Sequence, residues 1–111
     1  MDLPPHARAV LTGPDFVART LAGRERDPER AWLLRRPRAV RRSFVETVVD
    51  GGGDEQRWML LQDDDTRGSY VTDVLSHEDE PDRQAIWLLG QPHAVRESYV
   101  AEVIDARRGP R

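Results

Sequence analysis

The sequence predicts an α/β fold. An N-terminal helix near residues 14–24 is followed by three βα units whose short strands form a small parallel sheet, all within one domain over residues 1–111. Three observations carry this expectation. A tryptophan-led motif is written three times, at about residues 30–50, 57–76 and 86–105. The back half of each copy has the apolar spacing of an amphipathic helix. The front half is a contiguous apolar run, which suits a short strand covered on both faces.

The three copies are "WLLRRPRAVRRSFVETVV" from Trp32, "WMLLQDDDTRGSYVTDVL" from Trp58 and "WLLGQPHAVRESYVAEVI" from Trp87, and they align without a gap. Each places Leu34, Leu60 or Leu89 two residues after the tryptophan, and Arg41, Arg67 or Arg96 nine after it. Ser43, Ser69 or Ser98 follows, then an aromatic residue (Phe44, Tyr70, Tyr99) and a valine. A fainter copy without tryptophan, "AVLTGPDFVARTLAG", precedes them with the same order of apolar run, proline and helix.

The elements follow in order. "PDFVARTLAG" has a proline–acid start and a glycine stop, so it reads as the N-terminal helix. "AWLL", "WMLL" and "AIWLL" read as strands. Their alanine, leucine and methionine content and the start "DPERAW" make an all-α arrangement of helical repeats the alternative, with a hairpin arrangement third. The tryptophans at 32, 58 and 87 are 26 and 29 residues apart, which favours βα units, because paired-helix repeats usually need 33 or more. Val40, Phe44, Val45, Val48 and Val49 form the first apolar helical stripe, and Val95, Tyr99, Val100, Val103 and Ile104 form the third. Pro37 and Pro92 suit a first helical turn, and the glycines at 51–53 stop the first of these helices. "GGGDEQ" and "SHEDEPDRQ" read as loops, and the tail "ARRGPR" as frayed. The three tryptophans are expected to be equivalent core residues.

Composition narrows the function classes. Cysteine is absent, which removes disulfides, thiolate catalysis and cysteine-ligated metal centres. All 17 basic residues are arginine and the net charge is -3, so arginine content reflects coding bias and a general polyanion binder is disfavoured. No apolar run approaches the ~20 residues of a membrane span, and "MDLPPHARAV" lacks the pattern of a signal peptide. The expected location is the cytoplasm, with no membrane contact.

Candidate chemistry is sparse. "DDDT" after an apolar run is similar in outline to the haloacid-dehalogenase phosphatase signature, in which a threonine stands two residues after the second aspartate. Here Thr66 follows Asp65 directly and the chain contains no lysine, so Asp63 reads as a helix cap instead. "HEDEPD" lacks the spacing of a calcium loop. His6, His77 and His93 read as surface residues. No phosphate loop, dinucleotide fingerprint, nucleophile elbow or metal-ligand set is present. The expectation is therefore a non-enzymatic protein with no cofactor and no metal. It would act as an adaptor or regulator through an unknown protein partner or through self-association.

The alternative is an anion-binding module that recognises phosphate or nucleic acid through Arg35, Arg36, Arg38, Arg41 and Arg42 of the first copy. Arg41, Arg67 and Arg96 fall inside the apolar stripe of each helix, so their expected role is structural, against an aromatic ring or an acid at a helix end. In the parallel-sheet arrangement they would instead face the ligand edge. Charge is also divided. Between residues 19 and 42 nine arginines face three acids, and between 46 and 82 twelve acids face two arginines. Such a division suits internal pairing or head-to-tail association of copies.

Overall fold

The apolar runs are helices, and an aspartate ahead of each one decides it. In the computed structural model, which describes residues 9–107, Asp27, Asp54 and Asp82 are extended N-caps. Their carboxylates accept from the backbone N–H of Glu29, Arg57 and Ala85 at 3.0, 3.1 and 3.0 Å. Behind these caps, residues of good helix propensity complete one to two turns.

In chain order the α-helices are α1 (Asp15–Ala22), α2 (Pro28–Leu34), α3 (Arg38–Phe44), α4 (Glu55–Leu60), α5 (Asp64–Asp73), α6 (Arg83–Leu89), α7 (His93–Tyr99) and α8 (Asp105–Arg107). Residues 9–11 form a further helical turn. The N-terminal helix lies where the sequence places it. The α/β expectation is overturned: no strand or sheet exists among the described residues, and the architecture is all-helical.

The reason a strand is expected is also the reason it fails. Four consecutive apolar residues encircle a helix, because each is turned about 100° from the last. They can all be buried only where a helix end is sunk into the core. That is the arrangement found: Ala31, Trp32 and Leu33 are buried at the end of α2, Trp58, Met59 and Leu60 at the end of α4, and Leu88 and Leu89 at the end of α6.

Each sunken end passes into the same turn. The backbone N–H of Arg36, Gln62 and Gln91 donates to Leu33, Met59 and Leu88 at 3.0, 3.1 and 3.1 Å. Pro37, Asp63 and Pro92 then stand as extended N-caps of α3, α5 and α7. Three helix–turn–helix units result, α2–α3, α4–α5 and α6–α7. The helical turn at 9–11, Pro14 as N-cap and α1 trace the same path for the fainter copy.

The second helices end differently. α3 and α7 run on as π-helix over Val45–Val49 and Val100–Ile104, whereas α5 passes into a 3-10 turn at Leu75–His77. After the first π segment, Gly52 takes φ 66°, and Gly53 N–H donates to Thr47 O at 2.9 Å. A Cβ on Gly53 would lie 2.6 Å from that same oxygen, so this stop requires glycine.

The chain divides into two compact units between Gly53 and Asp54. In the first, α1 packs on α2, and the buried residues include Leu11, Ala18, Ala22, Trp32, Phe44 and Val45. In the second, α5 packs on α6 and α4 packs on the π segment, with Trp58, Leu60, Val74, Leu89, Val100 and Ile104 buried. Arg57 Nε pairs with Asp105 Oδ1 at 3.0 Å and ties α4 to α8.

Candidate functional site

The recurring arginines are among the most buried side chains of the chain: Arg41, Arg67 and Arg96 are 0%, 5% and 4% exposed. Helix spacing places each one turn into its helix and within the apolar stripe. Each then makes the same first bond. Nε of Arg41, Arg67 and Arg96 donates to the carbonyl five residues earlier, at Arg36, Gln62 and Gln91, always at 3.0 Å. This clamps the turn between the two helices.

The second bond crosses between helix–turn–helix units. Arg67 Nη1 donates to Leu89 O at the end of α6, and Arg96 Nη1 donates to Leu60 O at the end of α4. The second unit is thus closed by a reciprocal exchange. In the first unit Arg41 Nη1 donates to Val10 O, Leu11 O and Gly13 O at 3.0, 3.1 and 3.1 Å. Leu11 stands three residues before Pro14, as Leu89 stands three before Pro92, so the same bond reaches the fainter copy. That copy has Ala18, fully buried, where the others have arginine. The first unit therefore holds one such arginine and the second holds two.

The chemistry follows from the ends of helices. The last carbonyls of a helix have no partner within it and form the negative end of its dipole. Sinking those ends into the core would strand the carbonyls, and a guanidinium supplies several donors in one plane. Acids complete the set, with Asp15 accepting from Arg41 Nη2 and Asp64 from Arg67 Nη2. Burial pushes the Arg96 guanidinium below the usual arginine range, and the Arg67 charge pushes the same way, opposed by Asp64 and Glu97. The acid at a helix end is found for Arg41 and Arg67, and the carbonyls that all three arginines bind are a partner the sequence did not name. The anion site expected at a sheet edge has no sheet to form it.

The other candidate arginines divide. Arg36 lies with its guanidinium carbon 5.1 Å from the Trp32 ring centre, and its Nε donates to Trp32 O at 3.2 Å. Arg38 is exposed, and its Nε donates to Thr12 O at 2.9 Å. Arg42 is exposed and stands 3.9 Å from Glu46 on the next turn. Arg35 is exposed at the C-terminal end of α2. Arg41 is internal and does not share a surface with Arg35, Arg38 and Arg42.

The acids resolve as caps. Asp63 Oδ1 accepts from Thr66 N–H at 2.8 Å. Its carboxyl is held below the ordinary aspartate range by the backbone and hydroxyl hydrogen bonds of Thr66, with a smaller contribution from the Arg67 charge. Residues 78–82 are exposed, and no group of three or more His, Cys, Asp or Glu could hold a metal among the described residues. His93 pairs with Glu97 at 3.2 Å on the surface, His77 lies exposed in the 3-10 turn, and His6 lies outside the described residues, as do residues 108–111 of the tail.

The departure from equivalence is Trp87. Trp32 and Trp58 are each 4% exposed and Trp87 is 61% exposed, so the expectation of three core tryptophans holds for two. Gln91 turns its amide to Trp87 O at 3.0 Å as Gln62 does to Trp58 O at 3.0 Å, so this local bond is shared, and the Trp87 ring faces solvent through its surroundings in space. Sequence position alone carried no signal of this, because the three tryptophans occupy identical places in their copies. Among the described residues, Phe16 in the first unit, with Leu61 and Val95 in the second, are the other exposed large apolar residues. No protein-family model, no curated protein and no solved structure matches this chain.

Proposed function

We propose that this chain is a non-catalytic cytoplasmic protein that works by protein–protein contact, with Trp87 as the anchor of its contact surface. The observation that supports the reading is the unequal fate of one residue in three equivalent places. An exposed indole carries a large apolar area and a polar tip, the profile of an interface anchor. The surrounding scaffold supports the same reading. Arg41, Arg67 and Arg96, the buried cations among the described residues, bond carbonyls and acids of the chain itself, which argues against their holding an anion or a substrate. No helix among the described residues is long and apolar enough to cross a membrane.

The test is affinity capture from a host extract with the wild-type chain and the Trp87→Ala chain as paired baits. A protein enriched by the first and lost with the second supports the reading. Identical sets of captured proteins for both baits would sink it.

A further inference from the structure

We propose that one occupant of the Trp87 surface is a second copy of this chain, docked through its arginine-rich first unit. This rests on the reading of Trp87 as an interface anchor and names the partner. The first argument is charge. The unit Met1–Gly53 has ten arginines against seven acids, net +3, and Asp54–Arg111 has seven against thirteen, net -6, which together make the chain's -3. Each unit is the electrostatic complement of the other, so two copies attract where unlike units meet.

The second argument is local. Trp87 follows the exposed acids Glu78, Asp79, Glu80 and Asp82, with Arg83 the one cation in that stretch. An exposed indole favours a guanidinium, which its ring face attracts, and an acidic segment earlier in the same unit favours a basic partner. The chain already contains this contact, where Arg36 covers Trp32. Gln62 and Gln91 replace that arginine in the other two copies, and of the two rings they leave without it only Trp87 is also exposed, so it is the one open to an arginine of another chain. The first unit presents Arg35 and Arg38 on its surface. A contact between unlike surfaces is head-to-tail, and copies add in a chain rather than stopping at a pair.

Sedimentation velocity over a wide concentration range, at low and high salt, tests the proposal. The expected result is a weight-average mass that climbs above 12.7 kDa and past the dimer at low salt, and returns to 12.7 kDa at high salt. Screening shortens from about 10 Å at 0.1 M to about 3 Å at 1 M, which removes the attraction between the surfaces. Trp87→Ala alone and the double variant Arg35→Glu, Arg38→Glu alone should each stay at the monomer mass. Mixed in equal amounts they should form a pair that grows no further, since each retains the surface the other lacks. If Trp87→Ala loses its helical circular dichroism, Trp87→Gln replaces it, and the wild-type titration needs no variant.

A wild-type mass fixed at 12.7 kDa at every concentration overturns the proposal, as does a mixture that fails to pair. If the wild type stays monomeric while Trp87 still governs capture of a different protein, the second copy is excluded and the interface reading survives.

Discussion

Replacing Arg41 with alanine should measurably destabilise the first unit. The side chain is 0% exposed and donates to four carbonyls, those of Arg36, Val10, Leu11 and Gly13, and to the Asp15 carboxylate. Alanine leaves those acceptors without their donor and opens a void along the former side chain. A buried acceptor left unsatisfied costs about 1–3 kcal/mol. Water can reach the partly exposed acceptors, so the full cost falls on Leu11 O, whose bond is buried. Asp15 is half exposed and water can replace the guanidinium there, so the expectation is about 1–3 kcal/mol for the stranded acceptor, with the packing lost along the buried stem added to it. Whole domains are stable by only about 5–15 kcal/mol, so the loss is large.

Lysine at 41 should recover part of it, since an ammonium keeps the charge and reaches fewer of the acceptors. Arg35→Ala, at an exposed position, should shift stability by about half a kcal/mol or less. Urea denaturation followed by far-ultraviolet circular dichroism measures all three. An Arg41→Ala chain as stable as Arg35→Ala would refute the reasoning, because buried carbonyls would then need no arginine.

Three further outcomes are expected. Trp32→Ala and Trp58→Ala should each cost about 3–5 kcal/mol, as large core truncations do, while Trp87→Ala costs under about 1 kcal/mol; equal losses in denaturation would contradict the exposure of Trp87. Asp63→Ala should cost about 1 kcal/mol near neutral pH, and Asp63→Asn less, because the amide still caps. The folded-state pKa of Asp63 is depressed, so its stabilisation is present above the unfolded aspartate value of about 3.9 and fades as pH falls through the folded value. The gap between wild type and Asp63→Ala in melting temperature should therefore close in acid, and a gap that widened would reverse the sign of the argument. Gly68→Ala should stabilise by about 0.5–1 kcal/mol, since Gly68 is exposed within α5 and a Cβ there meets nothing within 4 Å, and calorimetry would register the rise.

Register and the starts of α1, α3, α5 and α7 were legible in the residues themselves, whereas α2, α4 and α6 were read as strands, and α4 and α6 begin inside "GGGDEQ" and "SHEDEPDRQ", which read as loops. Tryptophan, arginine and serine recur at fixed offsets, and the structure bonds each arginine to the carbonyl five residues before it in every copy. Pro14, Pro37, Asp63 and Pro92 mark helix starts because a fixed φ or an acceptor side chain acts locally, within a turn. The structural role of Arg41, Arg67 and Arg96 was legible from their place inside the apolar stripe, since a charge there must be answered from within.

What tertiary structure decided lies beyond the reach of any local rule. A run such as "WMLL" has no period, so a strand buried on two faces and a helix end buried on all sides read alike. The choice rested with Asp27, Asp54 and Asp82, whose caps were weak signals until the carboxylates were seen accepting. The acceptors of the arginines are backbone carbonyls, which every residue possesses, so nothing in the identity of Leu11, Leu60 or Leu89 announced them. Trp87 differs from Trp32 and Trp58 through its neighbours in space, and burial is a property of those neighbours rather than of the residue.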